Sequence, residues 1–509
     1  MKKSKELFRN LRISIINIMQ RPYRIVCALC CFVLALMQPI LYHSIALSPD
    51  EGYFMFMGNS ILHGAIPYIN YADNKPPGIW YLIALVFQVF GKSMYAARWT
   101  LYITNGLSAF VVYLLGKELQ NAKIGIIATV FFLVGILVPA FQGYYVLTEP
   151  FLIFFSLLGL LFFIKGRGRK LSLITCGVAI GLATLFKQTG LLLLIALIIF
   201  YLCNFWIPTN RNKNYMVSSV KSILLLLCGF FIPILVVVSY FWSVGALGQL
   251  VDYMILSLKG YGSQFAGILN LGYQFATFSI VWVLSCAALL TIGYKFIKKR
   301  SDWETLVSIW LLLTLCPLLS RQFGHYYIQI LPPACLLASL CLVNIFPGSL
   351  HIKEILKQHK TKRFFTQACV VFLVIASFGI SCRGYNFTMD NNNASLQYEI
   401  QTADYIQSHT ASNDTILVYP YQPSIYFLSD RDSCVKVLIL QSEEVDEEAQ
   451  LDLLQQIIKN NPKYVVMQTQ TDGTIVYSGL QSIYGYLVSN FKEVKSIGNF
   501  DIYINDSSE

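Results

Sequence analysis

The chain alternates long apolar runs with short polar connections. Eleven runs read as spanning helices: residues 25–47, 95–116, 124–142, 149–164, 171–186, 189–206, 221–242, 273–297, 303–320, 325–346 and 364–382. A span needs roughly 20 mostly apolar residues. Ile79–Phe90 is too short, with twelve residues before Gly91-Lys92. As a helix it rises about 18 Å against a hydrocarbon core of about 30 Å. The pattern predicts a helix along the membrane surface, with Trp80 and Tyr81 at the headgroup level and Gly52–Leu62 as a shorter partner.

Past residue 382 the periodicity is mixed. Thr415–Tyr419 and Tyr464–Gln468 read as strands, Glu443–Lys459 as a helix, and Phe491–Ile504 as a hairpin around Gly498-Asn499. The fold class is therefore a polytopic α-helical membrane protein of about 11 transmembrane helices with a small C-terminal α/β domain. Its segments are 1–24, a cytoplasmic N-terminal segment; 25–382, the transmembrane domain with a first outer loop at 48–94; and 383–509, the α/β domain.

Charge sets the orientation. Of 509 residues, 56% are hydrophobic and 13% charged, which excludes a disordered chain and an ordinary soluble enzyme. The net charge of +11 is divided: +21 over residues 1–382 and −10 over 383–509. Seven basic residues precede the first span and place the N-terminus in the cytoplasm. With Ile79–Phe90 kept out of the membrane, 25 of the 31 basic residues before residue 383 lie on the inner side. The odd span count then puts the acidic tail outside. No small-residue cleavage site follows the first span, so it reads as a retained anchor. Eleven of thirteen Cys lie inside apolar runs, and neither a disulfide framework nor a metal site follows from their spacing. Cys27, Cys30 and Cys31 read as packing residues of a helix.

The few charges left outside carry the candidate chemistry. Asp50 and Glu51 follow the first span. They read either as the cap of a surface helix, with Asp50 accepting a backbone N–H, or as paired carboxylates suited to general-base work. Lys75, near Asp73 and before Pro76-Pro77, suits a lipid phosphate or an ordinary anchor to acidic lipid. Glu149 opens a span, where acid suits the helix dipole. Lys187 interrupts about 36 otherwise apolar residues at an outer turn. A lysine at membrane depth costs roughly 2.5–3.5 kcal/mol on insertion scales, unless it snorkels to the interface. Arg321, His325, Tyr326 and Tyr327 lie at the outer start of the tenth span, as cationic and hydroxyl donors to a phosphate or as an aromatic belt. All five places face one side.

These residues resemble the membrane-embedded GT-C glycosyltransferases that use lipid-linked sugars, nearest to glycosyltransferase family 39: the protein O-mannosyltransferases, the aminoarabinose transferases and bacterial homologues. The resemblance rests on Pro49-Asp50-Glu51, Asn74-Lys75-Pro76-Pro77, Ala96-Ala97-Arg98, Leu115-Gly116-Lys117-Glu118-Leu119, Thr148-Glu149-Pro150, Phe186-Lys187-Gln188-Thr189-Gly190 and His325-Tyr326-Tyr327, in order over residues 25–345. It implies Asp50 as the catalytic carboxylate, and Lys75, Lys187 and Tyr326 as binders of the lipid phosphate. Arg321 and His325 would assist them, Glu51 would pair with Asp50, and Tyr53, Asp73 and Glu149 would support the acceptor or the site. Two positions depart from the aminoarabinose transferases: Gly52-Tyr53 replaces an arginine-tyrosine pair, and Asn74 replaces a glutamate.

The expected reaction moves a monosaccharide from a polyprenyl-phosphate donor, with inversion, to an extracytoplasmic glycolipid, polysaccharide or protein, at a bacterial inner or plasma membrane. No nucleotide, nucleic acid, metal or other cofactor is called for; no Walker A or GxGxxG pattern is present. A transporter or flippase is the main rival, and a lipid-diphosphate polymerase or ligase the second. Asp430-Arg431-Asp432 forms a DxD, read as part of a polar turn, Ser429–Ser433.

Overall fold

The computed structural model describes residues 37–42, 45–207, 212–256, 275–298, 302–319, 323–345, 395–439, 447–469, 476 and 480–505. Most of the predicted first span, all of the span at 364–382, and Arg321 lie outside the described residues.

After a single helical stretch at Met37–Tyr42 come two short helices, α1 (Pro49–Leu62) and α2 (Gly78–Phe90). Apolar helices follow: α3 (Met94–Leu119), α4 (Ala122–Leu137), α5 (Thr148–Gly166), α6 (Lys170–Phe186), α7 (Leu191–Phe205), α8 (Lys213–Ser243), α9 (Ser279–Ile297), α10 (Trp303–Leu315) and α11 (Tyr327–Ile345). Each overlaps a predicted run, although α8 begins eight residues before its run at 221–242 and α9 begins six residues after the start of 273–297. Among the described residues, six helices are long and apolar enough to cross a membrane, while α2, α4, α6 and Trp303–Leu318 are shorter.

Glycine permits a close crossing of α6 and α8. A Cβ at Gly177 of α6 would lie 2.1 Å from the Leu226 carbonyl oxygen of α8, and one at Gly229 equally close to that of Ile174. Small residues let two backbones meet where lipid provides no hydrophobic drive.

α2 is the short helix expected, but Trp80 is not at a surface. It is fully buried, edge-on to Tyr53 and Tyr68 at 6.1 and 5.2 Å. The helix is packed on one face, through Ile79, Ile83 and Phe87, while Leu85, Val89 and Phe90 are exposed. Its first residue, Gly78, touches the α6 terminus: a Cβ there would lie 2.4 Å from the Leu185 carbonyl oxygen.

The C-terminal unit contains α12 (Ser395–His409), β1 (Thr415–Tyr419), α13 (Ser424–Ser429), β2 (Asp432–Ser433), α14 (Glu447–Asn460), β3 (Tyr464–Gln468), α15 (Gln481–Asn490), β4 (Phe491–Ile497) and β5 (Phe500–Asn505). The sheet order is β2-β1-β3-β5-β4, with β1 parallel to β2 and β3, and β5 antiparallel to β3 and β4. Both predicted strands and the hairpin have the expected bounds to within a residue. β1 and β3 are apolar on both faces because both are covered. Ile416, Val418 and Val466 join the large core shared with the helical region, whereas Leu417, Tyr419, Val465 and Met467 pack a smaller one with α14 and α15.

The unit is seated on the first loop. A Cβ on Gly52 of α1 would lie 2.5 Å from the Ser424 nitrogen of α13. Phe87 stacks on Phe427 at 5.6 Å, Gln422 Nε2 donates to the Leu47 carbonyl at 3.2 Å, and the Ala72 N–H donates to the Lys436 carbonyl at 3.0 Å.

Candidate active site

Ser48-Pro49-Asp50-Glu51 folds as a helix start. Ser48 is the cap, its hydroxyl accepting from the Glu51 N–H at 3.2 Å, and Pro49 fills the first turn. Asp50 is therefore not the cap, which leaves its carboxylate for other partners. It meets the Lys75 ammonium at 3.1 Å; the same ammonium reaches Asp73 at 3.0 Å. Tyr68 fixes that lysine by donating to its carbonyl at 2.7 Å.

The second half of the site comes from three span ends. Lys187, in the turn between α6 and α7, pairs with Glu149 at the start of α5. Its ammonium lies 3.8 Å from the centre of the Tyr326 ring. His325 Nε2 is 3.8 Å from the same Glu149 oxygen, and its Nδ1 is 3.1 Å from Gln142 Oε1. Gln188 joins the halves, donating to the Asn74 carbonyl at 2.7 Å.

Between the halves lies a cavity of about 250 Å³, lined by Asp50, Lys75, Glu149, Lys187, His325 and Tyr326 together with Phe54, Gln142, Gln188, Tyr421 and Ile439. Residues as far apart in sequence as Asp50 and Ile439 thus share one space at the ends of the spans. Burial raises the Asp50 carboxyl, but Lys75, then His325 and Lys187, outweigh it and hold it below its ordinary value. Asp50 is accordingly a carboxylate at neutral pH, able to accept a proton. Among the described residues no three His, Cys, Asp or Glu side chains cluster as a metal site.

Three described residues expected at the site, Glu51, Tyr53 and Asp73, do not line the cavity, although Asp73 touches it through Lys75. Glu51 does not line the cavity. It is fully buried and holds Arg98 with two bonds, Nε to Oε1 at 3.0 Å and Nη2 to Oε2 at 2.9 Å, and accepts from the Val146 N–H at 3.2 Å. Arg98 also donates to the Ile45 and Ala46 carbonyls. One helical step of about 100° turns Glu51 inward from Asp50. Tyr53 is likewise buried against Trp80, outside the cavity lining. Asp73 and Glu149 act on the two lysines. Gln142, Tyr421 and Ile439 join the cavity wall beyond the residues expected from the sequence, and Gln188, expected only as part of the Phe186–Gly190 motif, joins it too. Gln188 follows a suspect lysine, but Tyr421 and Ile439 carry no local signal because the C-terminal unit brings them in.

Residues 74–241 match the dolichyl-phosphate-mannose-protein mannosyltransferase family, and residues 397–505 match the Ccs4 C-terminal domain family. An undecaprenyl phosphate-alpha-4-amino-4-deoxy-L-arabinose arabinosyl transferase of Pseudomonas fluorescens is 24% identical over 352 residues, 64% of this chain. The match spans 61% of that relative's length. Among solved structures, ArnT from Cupriavidus metallidurans in the apo state aligns with 96% of this chain and 98% of its own, at TM-score 0.64 and 13% identity. The same protein bound to undecaprenyl phosphate aligns at TM-score 0.59 and 14% identity, over 96% and 99%. The Archaeoglobus fulgidus oligosaccharyltransferase tethered to an acceptor peptide aligns at TM-score 0.59 and 14% identity, over 96% and 75%. The chain has the GT-C membrane fold that these proteins share.

Proposed function

We propose that this chain is an integral-membrane glycosyltransferase that moves a monosaccharide from a polyprenyl-phosphate donor to an extracytoplasmic acceptor, with inversion. One observation carries the proposal: Asp50, Lys75, Lys187, His325 and Tyr326 share a single cavity at the span ends. A donor with its tail in lipid presents its phosphate and sugar at that level. Relatives that bind undecaprenyl phosphate or carry the mannosyltransferase family name support the choice of donor.

In the proposed reaction, Asp50 takes the proton from an acceptor hydroxyl as its oxygen attacks the anomeric carbon. The bond from that carbon to the phosphate oxygen breaks, and the phosphate leaves with the electron pair. Lys75 and Lys187 stabilise its charge, with His325 and Tyr326 beside Lys187. Gln188 holds the two lysine-bearing loops together, so the cations are in place before charge develops. Attack opposite the leaving group inverts the anomeric carbon. No step is routed through a metal or nucleotide.

About eleven spans, a cytoplasmic N-terminus and an outer C-terminal domain complete the proposed topology, in a bacterial plasma membrane. A transporter or flippase is not favoured by the relatives found. The deciding assay uses full-length protein in nanodiscs with a polyprenyl-phosphate sugar and follows release of polyprenyl phosphate. Asp50→Asn should still bind polyprenyl phosphate but transfer at most about a hundredth of the sugar. Full transfer by that variant would overturn the proposal.

A further inference from the structure

The DxD motif read as a polar turn lines a second cavity. About 410 Å³ lies between the end of α1, the loop after it and the C-terminal unit. Separate stretches of chain line it with polar side chains, among them Asn59, His63, Asn70, Ser412, Asp430 and Asp432. Buried Phe56, Tyr71 and Tyr426 complete the wall.

The turn is rigid. Arg431 sends Nε to Thr410 Oγ1 at 2.7 Å, Nη1 to the Ser429 and Asp430 carbonyls at 3.3 and 2.9 Å, and Nη2 to the Gln407 and Thr410 carbonyls at 3.1 and 2.9 Å. Five bonds occupy the five donors of a guanidinium. The middle residue of the motif, itself part of the cavity wall, spends its donors on pinning the backbone, which leaves the two carboxylates beside it to face a ligand. Asp430, in the left-handed region at φ 56°, accepts from Asn59 and Lys92, while Asp432 accepts from the Tyr71 hydroxyl at 3.0 Å. Asn70 and His63 are fixed by bonds to the backbone at Ile66 and Asn59.

This is a preorganised set of planar acceptors and donors backed by aromatic rings, in a volume suited to a small ligand. Each hydroxyl of a sugar both donates and accepts. Carboxylates, amides and an imidazole held at fixed positions match it. A cation would find too few ligands among the described residues. The cavity opens at the far end of the helix that carries Asp50, about 14 Å away along its axis.

We propose that this cavity is an acceptor subsite, holding one sugar of a glycan chain while another sugar of that chain presents its hydroxyl to Asp50. The inference rests on the proposed transferase activity and names a glycan as the acceptor class. The test uses full-length protein in nanodiscs and, as probes, size-graded oligosaccharides released from the producing cell's surface glycan. Binding is read by saturation-transfer NMR and calorimetry. The oligosaccharides should bind the wild type, and His63→Ala with Asn70→Ala, or Asp432→Asn alone, should weaken binding by about tenfold or more. Undecaprenyl phosphate should bind these variants as it binds the wild type. Absence of saturable oligosaccharide binding, or equal binding by wild type and all cavity variants, overturns the subsite. Full transfer by Asp50→Asn alongside weakened binding in the cavity variants overturns the reaction and leaves the glycan site standing.

Discussion

Glu51→Ala should damage the fold, and Asp50→Asn the chemistry, although the residues are adjacent. Glu51 and Arg98 are 0% and 1% exposed at the side chain and joined by two short bonds. Truncating Glu51 strands a guanidinium inside the protein and removes the acceptor of the Val146 N–H. Breaking a buried pair from one side costs about 3–5 kcal/mol. The lost backbone bond concerns the same carboxylate and does not add in full, so about 4 kcal/mol is the expected loss. That is a large share of a typical stability of about 5–15 kcal/mol. Replacing both partners, Glu51→Leu with Arg98→Met, removes the uncompensated charge and should recover most of it. The assay is thermal unfolding in nanodiscs, paired with transfer per folded molecule. Glu51→Ala should lower Tm sharply, and the double variant should refold and keep transfer within about tenfold of wild type. A Glu51→Gln protein with unchanged Tm and transfer as low as that of Asp50→Asn would refute the structural role.

Lys75→Met and Lys187→Met should each weaken undecaprenyl phosphate binding by about tenfold or more, measured by calorimetry with the lipid in nanodiscs; unchanged affinity would remove the cations from the donor site. Gly52→Ala places a Cβ 2.5 Å from the Ser424 nitrogen. It should cost about 1–3 kcal/mol and open the α1–α13 contact to protease, whereas unaltered proteolysis would show that the contact gives way easily. Burial pushes Glu399 of α12 up from 4.5 to about 8. The folded protein then holds a proton that the unfolded chain releases near pH 4.5. This contribution is full below pH 4.5 and is lost as pH rises through about 8. Glu399→Gln should flatten that slope in Tm against pH, and a slope that persists would place its origin elsewhere.

Much of the fold was legible because lipid and water impose different patterns. Each described apolar helix follows a run of Leu, Ile, Val and Phe, and β1 and β3 follow from short β-branched runs. α12, α13 and α15 were not foreseen: α12 is mostly polar, and α13 is too short to show a period. The cavity was legible through lone charges at span ends, since Asp50, Lys75, Glu149 and Lys187 have no apolar reason to be there. Roles within it were not. The Glu51–Arg98 pair bridges 47 residues, and only the turn of α1 decides which of two adjacent acids faces inward. Tyr421 reaches the cavity only through the docking of the C-terminal unit, 371 residues after Asp50.

Lys75 and Lys187 each sit against a tethered acid, Asp50 with Asp73 in one case and Glu149 in the other. An incoming phosphate ester therefore competes with an anion that cannot diffuse away, and entry is an exchange of counterions on a fixed frame. Small free anions gain little from such an exchange, whereas the proposed lipid-held donor would bring apolar contacts that tilt it. Under the proposed function the consequence is discrimination by attachment: millimolar inorganic phosphate should be a poor competitor, and the membrane anchor of the donor should be part of what the pocket recognises.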